Sequence, residues 1–116
     1  MGGYALTVRF ELRNAESAAA FDQLLAQTLE GIRSEPGTLV YSVHVPVGEP
    51  LVRVFYELYA DEAAFRAHEE QQHTQRMLAE REQYLAAAPA VMFLRETLAP
   101  LRSEKSAAGG GSDEQP

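Results

Sequence analysis

Two of the three histidines in this sequence, His68 and His73, lie in one short acidic stretch, HEEQQH. Glu57 and Tyr59 come shortly before it, on a predicted strand. An imidazole has an ordinary pKa of about 6.5, so a histidine beside a bound substrate can accept a proton near neutral pH. On a helix, His68 lies three residues after Phe65, which must face inward, so it lies near the wall of any pocket there. His68 is therefore the candidate catalytic base; the alternative is a partly exposed histidine that only packs.

The same two histidines raise the question of a metal site. They are five residues apart, so on a straight helix their imidazoles point about 140° apart. Metal-binding pairs on helices use spacings of three or four residues. The acids between them are more typical of a solvated helix face, so we expect no metal here. A break near Gln71 and Gln72 would instead bring the two imidazoles together.

Glu57 shares a predicted strand face with Phe55 and Tyr59. A carboxylate that is buried without a partner on such a face costs several kcal/mol, so it needs a function or a partner. It could orient the candidate base or bind a substrate hydroxyl. The alternative is a structural pairing with a tyrosine or an arginine across the sheet, for which Arg53 and Arg95 are available.

The other candidates are weaker. His44 lies beside Ser42 in a predicted strand, and packing in the core or at an interface is its expected role. Arg76 could anchor an anionic substrate, but a place on the helix surface is the simpler interpretation. No nucleophile elbow and no glycine-rich dinucleotide motif are present in the sequence.

Composition limits the function classes. The chain has 116 residues, the size of one domain, with a net charge of −7 and no cysteine. Disulfides, thiolate ligands and a cysteine nucleophile are thereby excluded. No cluster of basic residues suggests a nucleic-acid partner. No signal peptide and no apolar run of membrane-spanning length is visible, so we expect a cytoplasmic protein that does not enter the membrane.

The periodicity of the sequence predicts six elements. Alternating or β-branched stretches predict four strands, and helical spacing of apolar residues predicts two helices. Their order, β-α-β-β-α-β, predicts an α+β, ferredoxin-like fold with a four-stranded antiparallel sheet and both helices on one face. We expect this domain to occupy residues 1–102. The polar, glycine-rich residues 103–116 are expected to form a flexible tail.

Both faces of the predicted sheet carry large side chains. In the last strand, Phe93 lies on one face and Met92 and Leu94 lie on the other. A sheet with one face in water should alternate more cleanly between apolar and polar residues. We therefore expect a homodimer joined through the sheet faces.

Two stretches of the sequence resemble the antibiotic biosynthesis monooxygenase family. They are EPGTLVYSV, around the turn before the second strand, and FYELYADEAAFRAHEEQQH, across the junction of the third strand with the second helix. The resemblance extends from about Tyr4 to Leu98. It implies a dimeric α+β barrel with a pocket between sheet and helices in each subunit. It also implies oxidation of a small aromatic phenol or quinol by O₂, in secondary metabolism, without flavin, haem or metal.

The resemblance assigns roles to individual residues. It places Tyr59, Phe65 and His68 in the pocket, with His68 as in the bacterial quinol-oxidising branch. Phe65 lacks the hydroxyl that some members have there, and Phe55 stands where some have asparagine, so a generic quinol-type activity is a better match than anthrone oxidation. The chain has no tryptophan, which disfavours the haem-degrading branch. With His68 as the base, the predicted substrate pocket consists of Phe55, Glu57, Tyr59, Phe65 and His73.

Two alternatives to a cofactor-independent monooxygenase remain from the sequence. One is a non-redox isomerase or cyclase on the same scaffold, which would use His68 as acid and base. The other is a dimeric module, for ligand binding or stress response, that holds a ligand without converting it.

Overall fold

The computed structural model describes residues 2–98. The tail predicted for residues 103–116, and the domain boundary at residue 102, lie outside this part of the chain. The second predicted helix is divided into two helices and a short 3₁₀ turn. The elements are β1 (Tyr4–Glu11), α1 (Ala15–Ile32), β2 (Thr38–His44), β3 (Val52–Tyr59), α2 (Glu62–Glu69), α3 (Gln72–Glu80), the 3₁₀ turn (Arg81–Tyr84) and β4 (Ala90–Arg95).

The four strands form one antiparallel sheet in the order β2-β3-β1-β4, which confirms the ferredoxin-like α+β fold. The register places Leu6 of β1 opposite Glu57 of β3 and Phe93 of β4. Tyr41 of β2 is opposite Glu57 on the other side. Directly opposed residues point to the same face of a sheet. One row across all four strands therefore carries Tyr41, Glu57, Leu6 and Phe93 towards the helices.

Side-chain caps fix where two helices begin. The Asn14 side chain accepts a hydrogen bond of 2.8 Å from the backbone N–H of Ser17, and Asp61 does the same for Ala64 at 2.8 Å. Each cap satisfies a donor that the first helical turn leaves unpaired. The cap at Asp61 sets the start of α2 directly after β3. The start of the helix in turn determines which of its side chains, His68 among them, point towards the sheet.

The core lies between the sheet and α1 and is dominated by aromatic rings. Phe10, Phe21 and Phe55 are almost completely buried, with the centroids of Phe10 and Phe55 4.8 Å apart. Aromatic pairs at this separation stabilise a core beyond their buried area. By contrast, every residue of β4 is exposed in the single chain. Within residues 2–98, no helix is long and apolar enough to span a membrane.

The helix that was predicted to carry both histidines breaks between α2 and α3. Gln71 has extended backbone angles, φ −70° and ψ 146°, which no α-helix accommodates. Two amide side chains satisfy carbonyl groups near the break: Gln71 donates to Ala67 O at 3.2 Å, and Gln75 donates to Glu69 O at 2.7 Å. Of the two possibilities in the sequence, the structure therefore has the break near Gln71 and Gln72 and not the straight helix, and both imidazoles turn towards the same neighbour.

Candidate active site

A single carboxylate, that of Glu35, joins the two histidines. Its Oε1 lies 2.8 Å from Nδ1 of His68 and accepts a hydrogen bond of 2.6 Å from the Thr38 hydroxyl. Its Oε2 is hydrogen-bonded to Nε2 of His73. Burial alone would raise the pKa of Glu35, but the hydrogen bonds from Thr38, His73 and His68 outweigh it and lower that pKa. Glu35 is therefore ionised at neutral pH.

Contacts on three sides hold His68 in place. The ring is buried, 5.9 Å from the ring of Tyr41 and 5.2 Å from that of Tyr59, measured between centroids. Because the Glu35 carboxylate can only accept, the Nδ1 of His68 must carry a proton. In the neutral imidazole the other nitrogen, Nε2, is then the acceptor. Nε2 has no hydrogen-bond partner among residues 2–98, so it is available to accept a proton.

His68 faces a cavity of about 200 Å³ between the sheet and the helices α2 and α3. Most of its wall is apolar or aromatic, and its polar residues come from five different elements. The wall consists of Leu6, Val8, Thr28, Tyr41, Glu57, Phe65, His68, Glu69, Thr74, Met77, Leu78, Arg81, Val91 and Phe93. An apolar cavity with a few polar groups is the usual form of a site for a small organic ligand.

Glu57 is a buried carboxylic acid in the cavity wall. It is 5% exposed and accepts a hydrogen bond of 2.7 Å from the hydroxyl of Tyr59, two residues along β3. Arg53 pairs with Asp22 instead, at 2.9 Å. Burial raises the pKa of Glu57, in spite of the Tyr59 hydrogen bond. Burial and the nearby Glu57 likewise raise the pKa of Tyr59 and of Tyr41, so both tyrosines stay protonated.

A model of the antibiotic biosynthesis monooxygenase family matches residues 4–80. The match runs from the first residue of β1 to the last residue of α3 and includes Glu35, Glu57, His68 and His73. The chain belongs to the antibiotic biosynthesis monooxygenase family. Comparison with curated proteins found no match.

Solved structures share the fold of this monooxygenase-family chain. A Caulobacter crescentus CB15 protein, described as a candidate antibiotic biosynthesis monooxygenase, gives a TM-score of 0.78 at 23% identity, covering 84% of this chain and 92% of its own. The NE2512 protein of Nitrosomonas europaea, of unknown function, gives 0.72 at 27% identity, with coverages of 89% and 97%. Rv0793 from Mycobacterium tuberculosis gives 0.72 at 25% identity, with coverages of 87% and 97%.

The residues predicted for the pocket of this family member fall into two groups. His68, Glu57 and Phe65 line the cavity. Tyr59 is fully buried behind Glu57, and Phe55 lies in the aromatic core; neither is part of the cavity wall. The alternation along β3 correctly places Phe55, Glu57 and Tyr59 on one face of the strand. However, α1 covers the Phe55 end of that face.

The other predicted residues lie away from the cavity wall. His73 contacts Glu35 rather than the cavity, and its side chain is 20% exposed. His44 is exposed and pairs with Ser42 at 3.0 Å, and Arg76 pairs with Glu80 on the surface of α3. Within residues 2–98, no group of three or more His, Asp or Glu side chains is placed to hold a metal ion.

Glu35 is the site residue that sequence reasoning missed. It lies in the EPG turn between α1 and β2, where the proline and glycine explain the turn and the glutamate looks like ordinary loop surface. Its two histidine partners are 33 and 38 residues away along the chain. The only signal was indirect: a possible helix break would bring the two histidines together, and the turn before β2 is one of the segments that the fold brings near α2.

The His73 ring occupies the space beside Gly31 where any other residue would have its Cβ. A Cβ built on Gly31 would collide with the His73 ring, with Cε1 only 2.8 Å away. Alanine normally stabilises a helix interior by about 1 kcal/mol relative to glycine. We expect Gly31→Ala to destabilise the protein instead, by about 1–2 kcal/mol, because the imidazole must leave Glu35.

Urea denaturation of a double-mutant cycle with His73→Ala checks the effect of Gly31→Ala. In the His73→Ala background the collision is absent, so Gly31→Ala is expected to be neutral or stabilising. Equal destabilisation in both backgrounds would contradict the contact between Gly31 and His73.

Burial of Glu57 predicts a pH-dependent effect of Glu57→Gln. Because the folded-state pKa is raised, the folded protein binds this proton more tightly than the unfolded chain does. The resulting stabilisation is complete below the ordinary carboxyl pKa of 4.5 and is lost as pH rises through the higher folded-state value. Glutamine stays neutral and can still accept from Tyr59. The Tm of Glu57→Gln minus that of the wild type is therefore expected to increase from acid to alkaline pH; a constant difference would contradict the burial cost.

Proposed function

We propose that this family member oxidises a small phenol or hydroquinone with O₂, without a cofactor, and that His68 is the base. The supporting observation is the orientation of His68: its Nδ1 is held by Glu35, and its opposite nitrogen is available at a cavity of aromatic character. A phenolate gives up electrons to O₂ more readily than a phenol does. Removing the phenolic proton is thus the step that the protein accelerates, while the substrate supplies the electrons.

The steps are written for a phenol with an unsubstituted para carbon, and for a hydroquinone they balance in the same way at an unsubstituted ortho carbon. His68 takes the phenolic proton, and the ring transfers electrons to O₂ to form a carbon–oxygen bond at the para position. Protonation of the outer oxygen gives a hydroperoxide, and Glu57, whose pKa is raised by burial, is the proposed proton donor. Loss of water from the hydroperoxide, with the ring hydrogen leaving as a proton, gives the quinone. One phenol and one O₂ become one quinone and one water.

Oxygen uptake tests this function. Protein treated with a chelator and shown to be flavin-free is mixed with a panel of phenols and hydroquinones, and O₂ consumption and quinone absorbance are followed. We expect one O₂ consumed per quinone formed, and one labelled oxygen atom in the quinone when ¹⁸O₂ is used. Conversion of a substrate without O₂ uptake would favour an isomerase or cyclase using the same base. Binding without conversion would favour a ligand-binding module.

We also propose that the protein is a homodimer joined through the outer face of the sheet. On that face Val40, Met92 and Leu94 are 37%, 58% and 37% exposed in the single chain. Light scattering is expected to give twice the 12.8 kDa mass of one chain. Met92→Asp, which places a charge on this face in the edge strand β4, is expected to give the monomer mass. A monomer mass for the wild type at micromolar concentration would contradict the proposal.

A further inference from the structure

Two buried polar atoms on the cavity-lining residues have no partner. They are Oγ1 of Thr74, in the first turn of α3, and Nε of Arg81, directly after the last residue of α3. Thr74 as a whole is only 4% exposed. Neither atom has a hydrogen-bond partner within residues 2–98. A buried polar atom without a partner costs about 1–3 kcal/mol, so two such atoms on residues that line one cavity suggest a ligand.

Arg81 places a positive charge in the cavity wall without a contacting acid. Burial lowers the pKa of its guanidinium, while the charges of Glu82, Glu57 and Glu69 raise it without forming a salt bridge within the described residues. The guanidinium carbon lies 5.0 Å from the ring centroid of Phe10, a cation–π distance that orients it. A preoriented, partly desolvated guanidinium is a strong site for a carboxylate.

The spacing of the two residues places them along one wall. Thr74 and Arg81 are seven residues apart, and Arg81 follows the last residue of α3 with helical backbone angles, so the two lie near the same face and about 10 Å apart along the axis. His68 and Glu57 line the same cavity. A ligand in this space can therefore meet the base and the guanidinium at once, provided that it carries polar groups at separate positions.

We propose that the cavity binds a single-ring phenol or hydroquinone that carries a carboxylate, with the carboxylate at Arg81 and a hydroxyl or carbonyl oxygen at Thr74. This assignment of substrate class rests on the proposed function. A cavity of about 200 Å³ has room for one ring, since an engineered cavity of about 150 Å³ binds benzene. Glu57 and Glu69 also line the wall. The carboxylate must therefore approach Arg81 rather than those two acids.

Calorimetric binding of meta-hydroxybenzoate, in which the carbon para to the hydroxyl is unsubstituted, its methyl ester and phenol tests the subsite without any requirement for turnover. Wild-type protein is expected to bind the carboxylate at least about tenfold more tightly than the ester, the contribution of one charge-assisted pair. Arg81→Met is expected to abolish this preference and to stay folded, because replacing an unpaired buried charge with an apolar side chain relieves a cost. Thr74→Val is expected to weaken the binding of all three compounds.

Arg76→Met is the matched control, because Arg76 lies on the exposed surface of the same helix, paired with Glu80. It is expected to keep the full preference for the carboxylate. Equal affinities for acid and ester in the wild type, an unchanged preference in Arg81→Met, or no binding of any of the three compounds would overturn the subsite. Preferential binding without O₂ uptake would leave the subsite standing and remove the proposed oxidation. O₂ uptake with neutral quinols but no preference for the carboxylate would support the proposed oxidation and remove the subsite.

Discussion

His68→Ala is expected to lower kcat by about 100-fold or more, the usual contribution of a general base. The variant is expected to stay folded, because Glu35 keeps its bonds to Thr38 and His73. Arg66→Ala is the matched control: it removes an exposed side chain of the same helix, paired with Glu62 on the surface, and is expected to leave kcat unchanged. Steady-state O₂ uptake measures both variants.

The acidity of the substrate separates proton transfer from packing at His68. Phenols that are already ionised at the assay pH have no proton to lose, so we expect them to be nearly indifferent to His68→Ala. Weakly acidic phenols are expected to show the full loss. If both kinds slow by the same factor, His68 shapes the cavity and is not the base.

Glu35→Ala is expected to have the largest effect on stability, about 2–4 kcal/mol at neutral pH, because it removes three hydrogen bonds to one buried charge. It is also expected to lower kcat for weakly acidic phenols, since His68 loses the acceptor that fixes its tautomer. Glu35→Gln keeps the shape and is expected to cost less stability. Urea denaturation of each variant gives the free energies of unfolding.

The pH dependence of Glu35→Ala has a definite sign. The pKa of Glu35 is lowered on folding, so its contribution is present above the ordinary carboxyl pKa of 4.5 and is lost as pH falls through the lower folded-state value. The difference in free energy of unfolding between the wild type and Glu35→Ala is therefore expected to become smaller in acid. Glu30→Ala, which removes an exposed glutamate paired with Arg33, is expected to change stability little at any pH. If Glu35→Ala lowers the free energy of unfolding no more than Glu30→Ala does, the contribution of the hydrogen bonds around Glu35 is contradicted.

Much of the fold could be predicted from the sequence because its signals are local. The alternation in β1 and the caps at Asn14 and Asp61 depend on neighbouring residues, and the structure has them as expected. The division between core and cavity was not predictable in the same way. Strand parity places Phe55 and Glu57 on one face, but the position of α1 above the sheet decides which of them reaches the cavity.

The helix break and Glu35 show why the site itself was harder to predict. The sequence allowed both a straight helix and a break near Gln71 and Gln72, and the extended backbone at Gln71 decides for the break. Glu35 has no local feature that distinguishes it from surface turn residues. Its role arises only when the turn before β2, α2 and α3 are packed together, a tertiary arrangement that a single sequence does not encode in any short pattern.

The position of His68 between two tyrosine rings gives the site its own spectroscopic probe. Aromatic ring currents displace the resonances of protons held close to them, and the imidazole lies within 6 Å of both Tyr41 and Tyr59 by centroid distance. The carbon-bound protons of His68 should therefore resonate away from those of the exposed His44. Movement of either tyrosine ring, entry of a ligand, or protonation of the imidazole would each change these shifts. One-dimensional NMR of the unlabelled protein can thus follow the state of the site without any assay of turnover.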